Sequence, residues 1–276
     1  MDRRLTPANA RAALESLRGQ VDAPRFVAGE PARVAVPVAD LLKAPEGARD
    51  RQVIWGEALT VIDRHAAWAF VQAAKDGYCG YLREAQLTEA EAATHWVSTP
   101  GTHLYDGPKV QHRDLAALSM GARLRVTGTQ GAWAETPQGF VPLAHLKPLG
   151  EYHDDPATVA QMFLHTPYLW GGNSRAGIDC SGLAQIAFHA CGMALPGDSD
   201  LQAGCGAAIP EGAALQRNDL LFWKGHVAIA LSDSRMIHAT GAFMAVVEEE
   251  IAAAIARIAA AGDGPVTARR RIIRSV

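Results

Sequence analysis

Two periods of hydrophobic residues run along this chain, and the change from one to the other divides it. Over residues 33–92 short apolar runs alternate with polar positions: A-R-V-A-V-P-V, Q-V-I-W-G-E-A-L-T-V-I-D, A-W-A-F-V-Q-A and D-G-Y-C-G-Y-L, with turn residues every eight to twelve positions. Alternation of this kind marks strands that bury one face, and turns at this spacing signal a small barrel. Residues 93–150 repeat the design with T-H-L-Y-D, A-R-L-R-V-T-G, G-A-W-A-E-T and G-F-V-P-L-A-H-L. Both sets pass from a turn and a strand to an A-W-A strand and then to a glycine-aromatic strand with a leucine behind it. Trp68 and Trp133 fall at matching positions, a weak internal repeat.

Helical spacing takes over in residues 151–276. Leu183, Ile186, Ala187 and Ala190 stand at i, i+3, i+4 and i+7, with Asp179 placed as N-cap and Gly192 as the stop. A second apolar tract, 251–261, is broken by Arg257 and follows Glu248, Glu249 and Glu250, which are read as acids at the first turn of a helix. At the other end of the chain, Leu5, Leu14 and Leu17 lie among charges between Pro7, a helix-start residue, and Gly19. This predicts a short amphipathic helix in the segment 1–32.

The predicted helix at 180–190 puts Cys180 in its first turn, where orphan N–H groups and the positive dipole end favour a thiolate, the nucleophilic form. Asp179 works against that, since a neighbouring carboxylate raises a thiol pKa. Its place makes sense if it also meets a cation. A buried structural cysteine needs no flanking carboxylate and hydroxyl, nor Gly171, Gly172 and Gly177, which suggest a close backbone approach. Downstream, His226 opens H-V-A-I-A-L and His238 closes M-I-H-A-T twelve positions later. Two antiparallel strands joined by Ser232-Asp233-Ser234-Arg235 would set these imidazoles side by side. An activated nucleophile needs a base beside it and a third group orienting the base, and Cys180, His226 and His238 supply that set.

Composition narrows the reading. The chain has 276 residues, of which 49% are hydrophobic and 20% charged, as in an ordinary globular protein. A net charge of -3 gives no electrostatic case for nucleic acid or an anionic membrane as partner. Cys79, Cys180, Cys191 and Cys205 form no C-x-x-C pair and no zinc spacing, so no metal or other cofactor is expected, and free thiols fit a reducing compartment. The first residues lack the continuous apolar core of a secretion signal, which points to a cytoplasmic protein.

The motifs P-Y-L-W-G-G, G-I-D-C-S-G-L, L-P-G-D-S-D-L-Q, N-D-L-L-F-W, G-H-V-A-I-A-L and M-I-H-A, in this order, resemble the NlpC/P60 family of cysteine peptidases over residues 152–276. The resemblance implies an α+β chain: a papain-like NlpC/P60 domain at 151–276, preceded by two SH3-like barrels at 33–92 and 93–150 and the N-terminal helical segment. It implies Cys180 as nucleophile, His226 as base, His238 as orienting residue and Tyr168 as an oxyanion donor. Two barrels ahead of such a domain are similar to the γ-D-glutamyl-L-diamino acid endopeptidases that trim murein peptides. In those enzymes an acid and a tyrosine of the first barrel join the aspartate before the cysteine in holding the substrate's free amino terminus. The matching residues are Glu57 and Tyr78, with Tyr81 as the competing tyrosine, beside Asp179. Ser181, Asp198 and Ser199 are expected to touch the peptide. The alternatives left open are an amidase or acyltransferase on the same fold and a non-catalytic cell-wall peptide binder.

Overall fold

The structure, a computed structural model, describes residues 1–273. The chain divides into two compact units, Met1–Leu149 and Gly150–Val276.

In the first unit, seven strands between Glu30–Val34 and Leu87–Glu89 make one sheet. Their inward residues, among them Val34, Leu41, Val53, Val61, Val71 and Leu82, form a shared core. The run read as one strand over 52–63 is two, Arg49–Ile54 and Ala58–His65, broken at Trp55-Gly56-Glu57. Gly56 has φ +72°, and a Cβ on it would stand 2.1 Å from the Arg123 carbonyl oxygen, so only glycine fits where the two barrels meet. The second barrel, built from strands between His95–Val97 and Leu146–Pro148, buries Val97, Leu104, Leu118, Leu124 and Val141. The repeat legible in the tryptophans extends further: each barrel follows its glycine-aromatic strand with a three-residue 3-10 turn, Glu84–Gln86 and Leu143–His145.

The N-terminal helix expected around Pro7 to Gly19 does not form. The segment holds two 3-10 turns, Arg3–Leu5 and Glu15–Leu17, and a short parallel pairing of Ala13–Leu14 with Phe26–Val27. The Asn9 side chain accepts from the N–H groups of Arg11 and Ala12, at 2.8 and 2.9 Å, and so replaces the helical hydrogen bonds there. Ala12 then packs into a small cluster with Ile62, Phe70 and Cys79 of the barrel.

The second unit is a six-stranded antiparallel sheet with helices. The helices are α1 (Pro156–Gln161), α2 (Cys180–Ala190), α3 (Ser199–Gln202) and α4 (Ile251–Ala260). Ile251, Ala254 and Ile258 of α4 pack on Leu221, Trp223, Ala228, Ala230 and Met236, so the sheet presents these alternate positions to α4. The acids before α4 are not its first turn, as the sequence suggested. They end a strand, Ala245–Glu250, that runs straight into the helix. Among the described residues no helix is long and apolar enough to cross a membrane.

Candidate active site

Cys180 is the first residue of α2, and Asp179 caps the helix: its Oδ1 accepts from the Gly182 N–H at 2.6 Å and from the Ser181 hydroxyl at 2.9 Å, while Oδ2 accepts from the Gly171 N–H at 2.9 Å. One carboxylate thus ties the start of the helix to the glycine loop. The close approach suggested by the glycines is the loop's own backbone: a Cβ on Gly172 would meet the Gly177 carbonyl oxygen at 2.6 Å. Gln202 adds a second brace. It is fully buried, and its amide donates to the carbonyls of Ser181 and Pro196, both at 2.9 Å.

The two histidines meet across neighbouring strands. The register that puts Ile229 opposite Ile237 sets Ala228 level with His238, so His226 is a diagonal neighbour of His238 on one face. His226 Nε2 lies 2.8 Å from His238 Nδ1. The next strand repeats the step. Glu249 stands opposite Met236, diagonal to His238, and its Oε2 is 2.7 Å from His238 Nε2. Arg257 of α4 reaches back to the same carboxylate, Nη2 to Oε2 at 2.5 Å and Nε to Oε1 at 3.2 Å. Sequence reasoning missed Glu249, taking it for a helix acid. The signal was present: Glu249 follows His238 by eleven positions, nearly the hairpin spacing that joins His238 to His226.

Cys180 is 7% exposed, and its sulfur lies 4.0 Å from the Gly225 carbonyl oxygen. The Val227 N–H also faces it, so the thiol sits against the backbone on both sides of His226. Its environment overturns the expectation of a resting thiolate. Burial, and then the Asp179 charge, push its pKa up to about 12, against the backbone N–H groups of Val227, Ser181 and Cys180 itself. His226 is lowered to about 3 by burial and by the positive charge that His238 and Arg257 can place beside it. The resting pair is a neutral thiol and a neutral imidazole. Tyr168 is pushed up to about 12 by burial and by the charges at Cys180 and Asp179, so its phenol keeps its proton and remains a donor near the sulfur.

The other expected site residues have definite places. Ser181 is buried and spends its hydroxyl on Asp179. Asp198, at φ +60°, precedes α3, and Ser199 is its buried first residue. In the first unit, Glu57 is no solvated turn acid: it is 7% exposed, its Oε1 accepts from Lys75 Nζ at 2.5 Å, and its buried Oε2 has no hydrogen-bond partner. Tyr78 is 1% exposed in the barrel core with the Arg51 guanidinium over its ring, which does not suit a ligand-facing tyrosine. Tyr81 packs on Phe70, ring centroids 4.9 Å apart, and hydrogen-bonds Asn9. Among the described residues no group of three or more His, Cys, Asp or Glu side chains could hold a metal.

Residues 165–255 match the model of the NlpC/P60 family, and residues 41–87 match that of the bacterial dipeptidyl-peptidase Sh3 domain. The chain carries an NlpC/P60 domain. The part so matched contains Cys180, His226, His238 and Glu249. A γ-D-glutamyl-L-lysine dipeptidyl-peptidase of Bacillus cereus is 29% identical over 222 residues, a match covering 68% of this chain and 66%, just under two thirds, of that protein. Dipeptidyl-peptidase 6 of Lysinibacillus sphaericus is 26% identical over 68% of this chain and 79% of its own length. The crystal structure of an NlpC/P60 family protein from Bacillus cereus superposes with a TM-score of 0.76 at 23% identity, over 89% of this chain and all of that one, and shares the NlpC/P60 fold.

Proposed function

We propose that the enzyme hydrolyses the γ-D-glutamyl–diamino acid bond of murein peptides that carry a free amino-terminal L-Ala. The observation that carries this reading is a carboxylate, Asp179, fixed beside a nucleophilic cysteine whose pKa it raises. A charge so placed is harmful to catalysis until a cation joins it, and the substrate's α-ammonium is such a cation. The name of the Bacillus cereus relative, a γ-D-glutamyl-L-lysine dipeptidyl-peptidase, supports the same bond class.

In this mechanism the ammonium offsets the Asp179 charge as the peptide binds, which eases loss of the thiol proton. Cys180 Sγ attacks the γ-glutamyl carbonyl carbon, and the proton passes to the ring nitrogen of His226 not engaged by His238, which is Nδ1. Tyr168 and the Cys180 N–H donate to the developing oxyanion. The C–N bond breaks as His226 returns the proton to the leaving amine. Water, deprotonated by His226, then hydrolyses the thioester, giving L-Ala-γ-D-Glu and the diamino acid or a peptide beginning with it. Ser181, Asp198 and Ser199 shape the peptide's path from the starts of α2 and α3. For Glu57 the proposal rests on chemistry: a buried carboxylate with one oxygen lacking a donor has capacity for one more N–H. The reading places this recycling reaction in the cytoplasm, where thiols outside disulfides, such as those of Cys79 and Cys205, persist.

The test compares L-Ala-γ-D-Glu-diamino acid tripeptides with free and acetylated amino termini. The free peptide is expected to be cleaved about 100-fold faster or more, because acetylation leaves a desolvated carboxylate without its cation. Equal rates would remove the amino-terminal clamp. Failure to cleave either peptide, with the thiol intact, would remove the substrate assignment.

A further inference from the structure

The base that takes the thiol proton must have a bare Nδ1, yet His226 is itself half-buried and its Nδ1 has no fixed partner to enforce that state. The enforcement comes from two strands away. A carboxylate only accepts hydrogen bonds, so His238 Nε2, 2.7 Å from Glu249 Oε2, must carry a proton. A neutral His238 then has a lone pair on Nδ1. His226 Nε2, 2.8 Å from that atom, must donate to it. Neutral His226 has one ring proton, and it is now spoken for, so Nδ1 is left bare. The opposite chain, with His238 protonated on Nδ1, would aim a lone pair at the Glu249 carboxylate and force the His226 proton onto Nδ1, where it cannot accept one from sulfur.

We propose that Glu249 is the positioning residue of this site, setting the tautomers of both histidines in series and so making His226 Nδ1 the base. The inference rests on the assignment of Cys180 and His226 as nucleophile and base. Glu249 is suited to the task because it stays ionised. Burial pushes its pKa up, but the hydrogen bonds from Arg257 and His238 outweigh that and hold it below the usual carboxylate range. The groups facing it are the neutral imidazole of His238 from the strand Arg235–Thr240 and the Arg257 guanidinium from α4, whereas its neighbour Glu248 turns to Gln161 and Arg235. His238 itself is fully buried and kept neutral: desolvation lowers its pKa more than Glu249 raises it. A neutral His238 is what the relay requires, since an imidazolium there would present donors on both sides and break the alternation.

Two measurements on the full chain test this. The first needs no variant and no substrate. In 15N-histidine-labelled enzyme at pH 7, the ring nitrogen shifts of His226 and His238 are expected to show both protonated at Nε2 and bare at Nδ1. A proton on Nδ1 of either ring overturns the proposal. The second is Glu249→Gln, whose amide can rotate to offer Nε2 a donor instead of an acceptor. Its kcat is expected to fall about 100-fold with KM within about twofold, because the wrong tautomer removes the base without altering peptide contacts. The His226 signal of the variant should shift toward the Nδ1-protonated form. Unchanged kcat and unchanged tautomers in a folded variant would also overturn the proposal. If the variant fails to fold, the wild-type spectrum decides. Tautomers as stated in an enzyme that ignores murein tripeptides would leave Glu249 in its role and refute only the substrate.

Discussion

Asp179 has two effects on the sulfur beside it, and they oppose each other. As N-cap it orders the first turn of α2 and so holds the N–H groups of Cys180 and Ser181 toward a thiolate; as a full charge it repels one. The dipole end of a helix amounts to about half an elementary charge, so a carboxylate at closer range, added to burial, wins. In the absence of substrate, alkylation of Cys180 by iodoacetamide is therefore expected to rise about tenfold per pH unit from pH 7 to 10 with no plateau, since a raised thiol pKa keeps the thiolate scarce throughout that window. A plateau near neutrality would reveal a standing thiolate–imidazolium pair. Asp179→Asn separates the two effects, because asparagine caps about as well as aspartate. The variant should alkylate severalfold faster at pH 8 and yet cleave the free-amino tripeptide more slowly, by tenfold or more in kcat/KM. Alkylation and cleavage moving in the same direction would mean that the charge does not serve the substrate.

At the scale of elements, the site depends on how closely α2 sits on the glycine loop. A Cβ on Gly182 would stand 2.5 Å from the Gly172 carbonyl oxygen and 2.6 Å from Asn173 Oδ1, and backbone cannot give way as a flexible side chain can. Gly182→Ala is expected to cost about 1–3 kcal/mol in urea unfolding and, in the folded fraction, to lower kcat/KM by moving Cys180. Full activity with unchanged stability would show that the loop yields at no cost. This scale also shows what was legible in the sequence. The α2 helix, its cap and the hairpin joining His226 to His238 could be read because period, cap and turn residues are local signals. The spacing signal of Glu249 was masked, because the strand Ala245–Glu250 enters α4 with no turn residue between them, and three acids before an apolar run look like a helix start. The N-terminal stretch misled for a related reason: Asn9 satisfies the backbone N–H groups that a helix would have used. The raised thiol pKa was legible only in part, from Asp179, since desolvation depends on what the rest of the fold packs around the sulfur.

For the molecule as a whole, the division of the core governs what survives dissection. The buried clusters around Val34, Val97 and Ile62 draw on residues of the first unit, and the one beneath α4 draws on residues 209–266. The relay from His226 through His238 and Glu249 to Arg257 likewise lies within Gly150–Val276. A fragment of this size has enough interior to fold as a domain. Expressed alone, residues 150–276 should unfold in urea in one cooperative transition and reproduce the full chain's steep alkylation profile at Cys180, because the groups that raise the thiol pKa, Asp179 and the walls around it, come with the fragment. A fragment that melts without a transition, or whose thiol titrates near the value of an exposed cysteine, would show that the electrostatics of the sulfur are set by the first unit as well.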